Sequence, residues 1–299
     1  MEVEMKKWYS DYGLQARMLL TMFLLAVLYL VFLAVILTFG GSWTYILIVF
    51  MMLMLFAQFF FSDKLVLWST GGRVVTEQEE PRLHETVSRL CAIADLPKPQ
   101  IAIVNSNVPN AFATGRSKGS AVVAVTTSLK QKLSQPELEA VIAHELSHVK
   151  NRDMLVITIA SFLSTVAALL ARNMLFFGMG GRDDRKGAGA AIIIFVVSIV
   201  VWIISFLLIR ALSRYREFAA DRGSAIITGQ PSHLASALMA ISGVMERVPS
   251  RDLREVEGMN AFFIIPAVSG DSIMSLLSTH PSVEARIRAL TQMEQRMEF

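Results

Sequence analysis

His144, Glu145 and His148 stand in the order His-Glu-Leu-Ser-His within a segment that reads as a helix. Residues four apart share a helical face, so both imidazoles can reach one ion. Glu145 projects from an adjacent angle and can meet a water activated by that ion without being a ligand itself. Neutral imidazole suits Zn²⁺, and a catalytic zinc needs three protein ligands and one open position. The chemistry these three residues could do is hydrolysis.

A third ligand has few sources in this chain. Cys91 is the only cysteine, and the five histidines are His84, His144, His148, His233 and His280. With no further histidine soon after His148, a carboxylate is expected. Arg214-Tyr215-Arg216-Glu217-Phe218-Ala219-Ala220-Asp221 offers one, since Glu217 and Asp221 are again four apart and share a face. Glu217 could bind the ion while Asp221 accepts the second ring N–H of a ligating histidine. Spacing alone leaves ordinary surface charges on a helix as the alternative. Asp153, five residues after His148, reads either as support for that histidine or as the cap of the next helix.

The elements that must position these residues are unusually apolar. Of 299 residues, 54% are hydrophobic and 18% charged, against roughly 25% charged in a typical soluble domain. Mean hydropathy is +0.50, which points to a membrane protein. A formal charge of +3, with no basic tract interleaved with aromatics, argues against nucleic-acid binding. One cysteine excludes an intrachain disulfide and a cysteine-based metal cluster.

Four charge-free blocks follow one another: Met18 to Phe39, Trp43 to Phe61, Met154 to Ala171 and Gly189 to Ile209. A block of about 20 apolar residues can cross a hydrocarbon core of roughly 30 Å. The first is too long for a cleaved signal segment, and a second span follows at once across Gly40-Gly41-Ser42. Lys6, Lys7 and Arg17 precede the first pair, and Lys64 and Arg73 follow it, so the N-terminus and the chain after Phe61 are expected in the cytoplasm. The second pair is joined by a loop holding Arg172, Arg182, Arg185 and Lys186, against that bias. Its first block also carries Thr158, Ser161, Ser164 and Thr165, so partial insertion stands beside full spanning. The expected organisation is a cytoplasmic segment 1–17, a hairpin 18–62, a first catalytic part 63–153, a second hairpin 154–212 and a second catalytic part 213–299.

Between the hairpins, the spacing predicts a helix over Pro81 to Leu96, ended by Pro97 and Pro99. Strands are expected at Gln100 to Val104 and Ser120 to Thr126, flanking a turn-rich segment Asn105 to Gly119. Ser134-Gln135-Pro136-Glu137 matches a capping box and opens the His144 helix. Further helices are expected over Arg210 to Gly229, Ser232 to Met245 and Ser282 to Met297, with loop over Pro249 to Asp271. His84 and His233 read as exposed helical positions without function, and Cys91 as core.

The chain resembles the HtpX-type membrane zinc metalloproteases, which are related to the CAAX prenyl proteases. The resemblance runs over nearly the whole chain. It rests on the N-terminal hairpin, Pro109 to Gly115 (PNAFATG), HELSH followed by KNRD, a second hairpin, EFAAD, and Thr279 to Ile287 (THPSVEARI). It implies an α+β, mostly α-helical integral membrane protein with a gluzincin-like zincin domain, its small sheet and helices split by a transmembrane hairpin. It implies one Zn²⁺ per chain on His144, His148 and Glu217, with Glu145 as catalytic base and Asp221 supporting a ligand. His280 becomes a candidate oxyanion donor, with capping of the helix near Ser282 as the alternative and Tyr215 as a weaker candidate. Asn110, Ala111, Phe112 and Ala113 become candidates for pairing with an extended substrate. The implied activity is endoproteolysis of misfolded membrane proteins at the cytoplasmic face of the cell membrane. The rival reading is a membrane chaperone or scaffold with a structural metal. The sequence leaves substrate, cleavage preference and oligomeric state open.

Overall fold

The computed structural model describes residues 12–39, 43–177, 185–245, 264 and 280–297. Lys6, Lys7, Gly40-Gly41-Ser42, Arg182, Thr279 and the expected loop Pro249 to Asp271, apart from Ile264, lie outside the described residues. The chain divides into two compact units, one gathering Gln15–Phe60 with Leu155–Ser213, the other joining Phe61–Met154 to the chain after Arg214.

The first unit is built from α1 (Tyr12–Phe39), α2 (Trp43–Thr70), α6 (Asp153–Phe177) and α7 (Arg185–Thr228), each in its apolar stretch. Phe32, Ile36, Phe162, Val166, Ala167 and Val201 pack together at its centre. Tyr29 donates its hydroxyl proton to the Ala160 carbonyl at 2.8 Å, which satisfies a polar group among apolar neighbours. Leu19, Leu30, Phe50 and Ile192 point outward and are more than half exposed. Such apolar exteriors are stable against lipid and not against water. Among the described residues, three helices can cross a membrane by length and composition, Tyr12–Phe39, Asp153–Arg172 and Ile192–Thr228, and a fourth if the broken helix α2 is counted as one span. The helix expected over Arg210 to Gly229 continues the apolar stretch before it as one helix, Arg185–Thr228.

The second unit holds a four-stranded sheet. Its strands are β1 (Arg73–Val74), β2 (Gln100–Val104), β3 (Ala111–Thr114) and β4 (Val122–Thr126), in the order β1-β2-β4-β3. β2 and β4 run parallel, and the other two pairings are antiparallel. Alternation of period two sends Ile101, Val123 and Val125 to one face and Ala102, Val104, Phe112, Val122 and Ala124 to the other. α3 (Pro81–Ala94), α5 (Gln135–Asn151) and α8 (Pro231–Met245) supply the large core with the first face, while Val66 and Leu67 pack on the second. α4 (Thr127–Lys132) and α9 (Val283–Met297) complete the described elements of the unit.

Several local expectations change. β3 lies inside the segment expected to be turn-rich, and neither β1 nor α4 was expected. β4 begins at Val122 because Lys118–Ser120 forms a 3₁₀ turn before it. His84 and His233 are half-buried rather than exposed, and the His84 ring sits 3.0 Å from the Val75 carbonyl oxygen.

α5 is buried on nearly every side, with Ala140, Val141, Ile142, Ala143 and Leu146 enclosed. Glu137 closes its first turn, accepting from the Ser134 backbone N–H and hydroxyl, each at 2.8 Å. α7 approaches it closely: Ser224 donates to the Ala140 carbonyl at 2.7 Å. A Cβ added at Gly223 would lie 2.2 Å from Ser147 Oγ and 2.7 Å from its Cβ. Gly223→Ala should therefore force these helices apart and destabilise the protein by about 1–3 kcal/mol. A lowered unfolding temperature in detergent checks this, and Ser147→Gly should restore part of the loss; an unchanged temperature would mean the contact is soft.

Candidate active site

α5 presents His144 and His148 one turn apart, and α7 presents Glu217 opposite them. The two Nε2 atoms are 3.2 Å apart. Glu217 Oε2 lies 3.6 Å from His144 Nε2, and Oε1 lies 3.5 Å from His148 Nε2. Two tetrahedral ligands with bonds of roughly 2.0–2.1 Å stand about 3.3 Å apart. The three donors lie within 4.8 Å of one another, so they fit a single ion of zinc size. The donor set of two imidazoles and one carboxylate suits zinc as well.

The outer ring nitrogens are engaged away from that centre. His144 Nδ1 is 3.0 Å from Asp221 Oδ1, and His148 Nδ1 is 2.5 Å from Asp153 Oδ2. An Nδ1–H held by a carboxylate leaves Nε2 as the unprotonated, ligating atom. Asp153 is the first residue of α6, and its two carboxylate oxygens face His148 and Arg216, as the supporting reading expects. His280 is buried, with Nδ1 3.3 Å from Glu217 Oε2. The cap of α9 falls to Ser282, whose hydroxyl accepts from the Ala285 N–H at 3.2 Å. Tyr215 precedes Glu217 by two residues on α7, a rotation of roughly 200° that turns it from the Glu217 side.

Glu145 is buried beside the two histidines, and the Ala113 backbone N–H faces its carboxylate and favours the charged form. Burial pushes its carboxyl above the usual range, although His144 and His148 pull the other way. Burial also opposes charge on His144, yet the Asp221 and Glu217 carboxylates outweigh it and hold that ring above its ordinary value. β3 ends the sheet order, and its Asn110 neighbour bonds toward β4: the Thr126 N–H donates to the Asn110 carbonyl at 2.9 Å. N–H and C=O groups alternate sides along a strand. Ala111 and Ala113 therefore point away from β4, toward the Glu145 side. The Asn110 side chain accepts from the Ile264 N–H at 3.0 Å and is buried, so it holds that segment in place.

Arg286 on α9 is the residue that sequence reasoning passed over. It is 1% exposed and forks onto Asp221, with Nε to Oδ2 at 2.9 Å and Nη2 to Oδ1 at 2.6 Å. Nη1 lies 3.2 Å from Glu217 Oε2 and donates to the Ile264 carbonyl at 2.7 Å. Burial works against its charge, but the Asp221 and Glu217 carboxylates hold the guanidinium above its ordinary value. One signal could have found it: Arg286 stands four residues before the buried Leu290, on a helical line that packing requires to be apolar. Removing it by Arg286→Met leaves two buried carboxylates without their counter-charge, a loss of about 3–5 kcal/mol. Unfolding of the metal-free protein in denaturant checks this, and Arg286→Lys should recover little because it cannot make the fork. A wild-type midpoint for Arg286→Met would show that Asp221 is balanced otherwise.

Comparison with known proteins agrees with this geometry. Residues 77–294 match the model of peptidase family M48. "Protease HtpX homolog 2" of Methanosarcina mazei is 65% identical over 292 residues, covering 98% of this chain and 99% of that protein. "Protease HtpX homolog" of Moorella thermoacetica is 59% identical, covering 97% of each. Among solved structures, the crystal structure of Ste24p from S. mikatae is similar with a TM-score of 0.53 at 18% identity, covering 94% of this chain and 66% of that one. That likeness shows a common fold. With a matched family over most of its length, near-full-length relatives and helices fit to span a bilayer, the chain belongs to peptidase family M48, as a membrane metallopeptidase of the HtpX type.

Proposed function

We propose that this protein is a zinc endopeptidase that cuts misfolded or unfolded membrane proteins at the cytoplasmic face of the cell membrane. The observation that carries the reading is the set of buried His144 and Glu217 with half-buried His148, matched in its distances to one ion, with Glu145 alongside. A zinc ion held by these three residues would supply Lewis acidity toward the scissile carbonyl and its attacking water. Glu145 takes the proton from that water as the bond to the carbonyl carbon forms, then hands it to the leaving amine. His280, beside Glu217, donates to the oxyanion that develops. A structural metal would have no use for a buried Glu145 beside its ligands, which favours the peptidase over a scaffold.

Substrate enters as an extended strand alongside β3. The main-chain groups of Ala111 and the carbonyl of Ala113, whose N–H faces Glu145, pair with it, so affinity comes from the backbone and sequence tolerance follows. Phe112 belongs to the core on the far face of the sheet and takes no direct part. The Lys and Arg bias around the first hairpin supports the cytoplasmic orientation. Glu217 follows Ile209 by eight residues of continuous helix, about 12 Å of rise.

Two experiments test the reading. Glu145→Gln should retain metal while cleavage of an unfolded membrane substrate falls by about 10²–10⁴-fold, and Glu217→Ala should lose the metal itself. Wild-type turnover by Glu145→Gln would refute the base assignment, and full metal content in Glu217→Ala the ligand assignment. Orientation can be read from the exposed position Ser117. Burial pushes the Cys91 thiol up to about 11, so the native cysteine should stay silent to a thiol reagent near neutral pH. Ser117→Cys in intact cells should label with a membrane-impermeant reagent only after permeabilisation; labelling beforehand would place the catalytic unit outside.

A further inference from the structure

Asp153 and Arg216 form a buried ion pair that the reaction scheme above does not use. Asp153 opens α6 and Arg216 stands on α7, one residue before Glu217. Asp153 Oδ1 lies 2.8 Å from Arg216 Nη2, while Asp153 Oδ2 lies 2.5 Å from His148 Nδ1. Both side chains are buried, Asp153 at 6% and Arg216 at 3% exposure. Arg216 also breaks the apolar line of its helix, standing midway between the buried Leu212 and Ala220. A guanidinium is put in such a place only where a carboxylate requires it.

We propose that Asp153 and Arg216 are positioning residues for His148, and that metal retention depends on the bridge they make between α6 and α7. The inference rests on the assignment of His148 as a metal ligand. Asp153 accepts the Nδ1–H of His148, which fixes the tautomer and turns Nε2 inward. Asp153 alone would be an uncompensated buried anion, and Arg216 balances it. Arg152, in the left-handed conformation at φ 56°, ends α5 and sets Asp153 under the His148 ring within the span of one turn. His144 is oriented by a separate pair, Asp221 and Arg286, carried on α7 and α9. Each histidine thus has its own carboxylate and its own arginine. The pair serving His148 differs in kind, because it joins the helix that leaves α5 for the apolar hairpin to the helix that returns from it.

The test uses the full-length chain in detergent micelles. Zinc affinity is measured by competition with a chromophoric chelator, and the visible spectrum of the Co²⁺-loaded protein reports ligand geometry. Asp153→Asn should weaken zinc binding by roughly 10–100-fold and shift the cobalt bands. Arg216→Met should also weaken it, with Arg216→Lys between the two because it keeps the charge. In the Asp153→Asn background, Arg216→Met should cost less than about threefold, since Arg216 acts through Asp153. Wild-type affinity in Asp153→Asn, or an Arg216→Met effect undiminished in that background, contradicts the proposal. Thermal unfolding of the metal-free variants separates a purely structural role. A variant that melts early yet binds zinc with wild-type affinity and a wild-type cobalt spectrum assigns the pair to stability alone and ends the proposal. A wild type that takes up no metal overturns the ligand assignment and this inference together, whereas a wild type that binds beside an equally tight Asp153→Asn overturns this inference only.

Discussion

Burying charge is the constraint on which the rest of the catalytic unit depends. Glu145, Asp153, Arg216, Glu217, Asp221 and Arg286 are all at most 6% exposed, inside a chain whose core is otherwise aliphatic. Removing such groups from water costs several kcal/mol per ion unless each finds a partner in good geometry. The partners come from four helices far apart in sequence, so α5, the start of α6, α7 and α9 must converge before any of the charges is compensated. Arg286 makes this concrete, forking onto Asp221 from 65 positions away. The close approach of α5 and α7 at Gly223 is a consequence, since the histidines and Glu217 can share one ion only if their helices nearly touch.

The same constraint explains how the site can be rigid enough for catalysis. A ligand held only by its own rotamer would lose its place with small motions of the helix. Here each histidine ring is fixed at Nδ1 by a carboxylate; Arg286 forks onto Asp221 through two hydrogen bonds, while Arg216 faces Asp153 as an ion pair at 2.8 Å. Glu145, the proposed base, faces the Ala113 N–H on the strand proposed to receive the substrate. Metal, base and substrate edge therefore share one frame of hydrogen bonds.

Much of the architecture was legible because its signals are local or periodic. Charge-free blocks of membrane length, the capping box at Ser134 and the three-four spacing of α3 each specify an element without reference to the rest of the chain. The mostly helical membrane fold follows from such features, while the kinship to HtpX-type peptidases was carried by the ordered motifs PNAFATG, HELSH, EFAAD and THPSVEARI. His144, His148, Glu217 and Asp221 were singled out by spacing of four, and the structure brings them together. What escaped were short or long-range features. β1 has two residues, and β3 is four residues of Ala-Phe-Ala-Thr, too brief for period two to declare itself. α4 follows directly on β4 with a cap supplied by Thr126, a transition no composition change marks. Arg286 and Arg216 were given no role from the sequence because their partners lie on other helices. Position on an apolar helical line was the one clue available for both.

The central claim is that His144, His148 and Glu217 together hold one catalytic zinc. Zinc K-edge X-ray absorption on the full-length protein, with metal content measured on the same sample, tests it most directly. One zinc per chain is expected, with two imidazoles in its first shell at roughly 2.0–2.1 Å, oxygen in the remaining positions and no sulfur. The Glu217→Ala protein should lose that signal. A shell lacking imidazole, or an unaltered spectrum and stoichiometry in Glu217→Ala, would contradict the account.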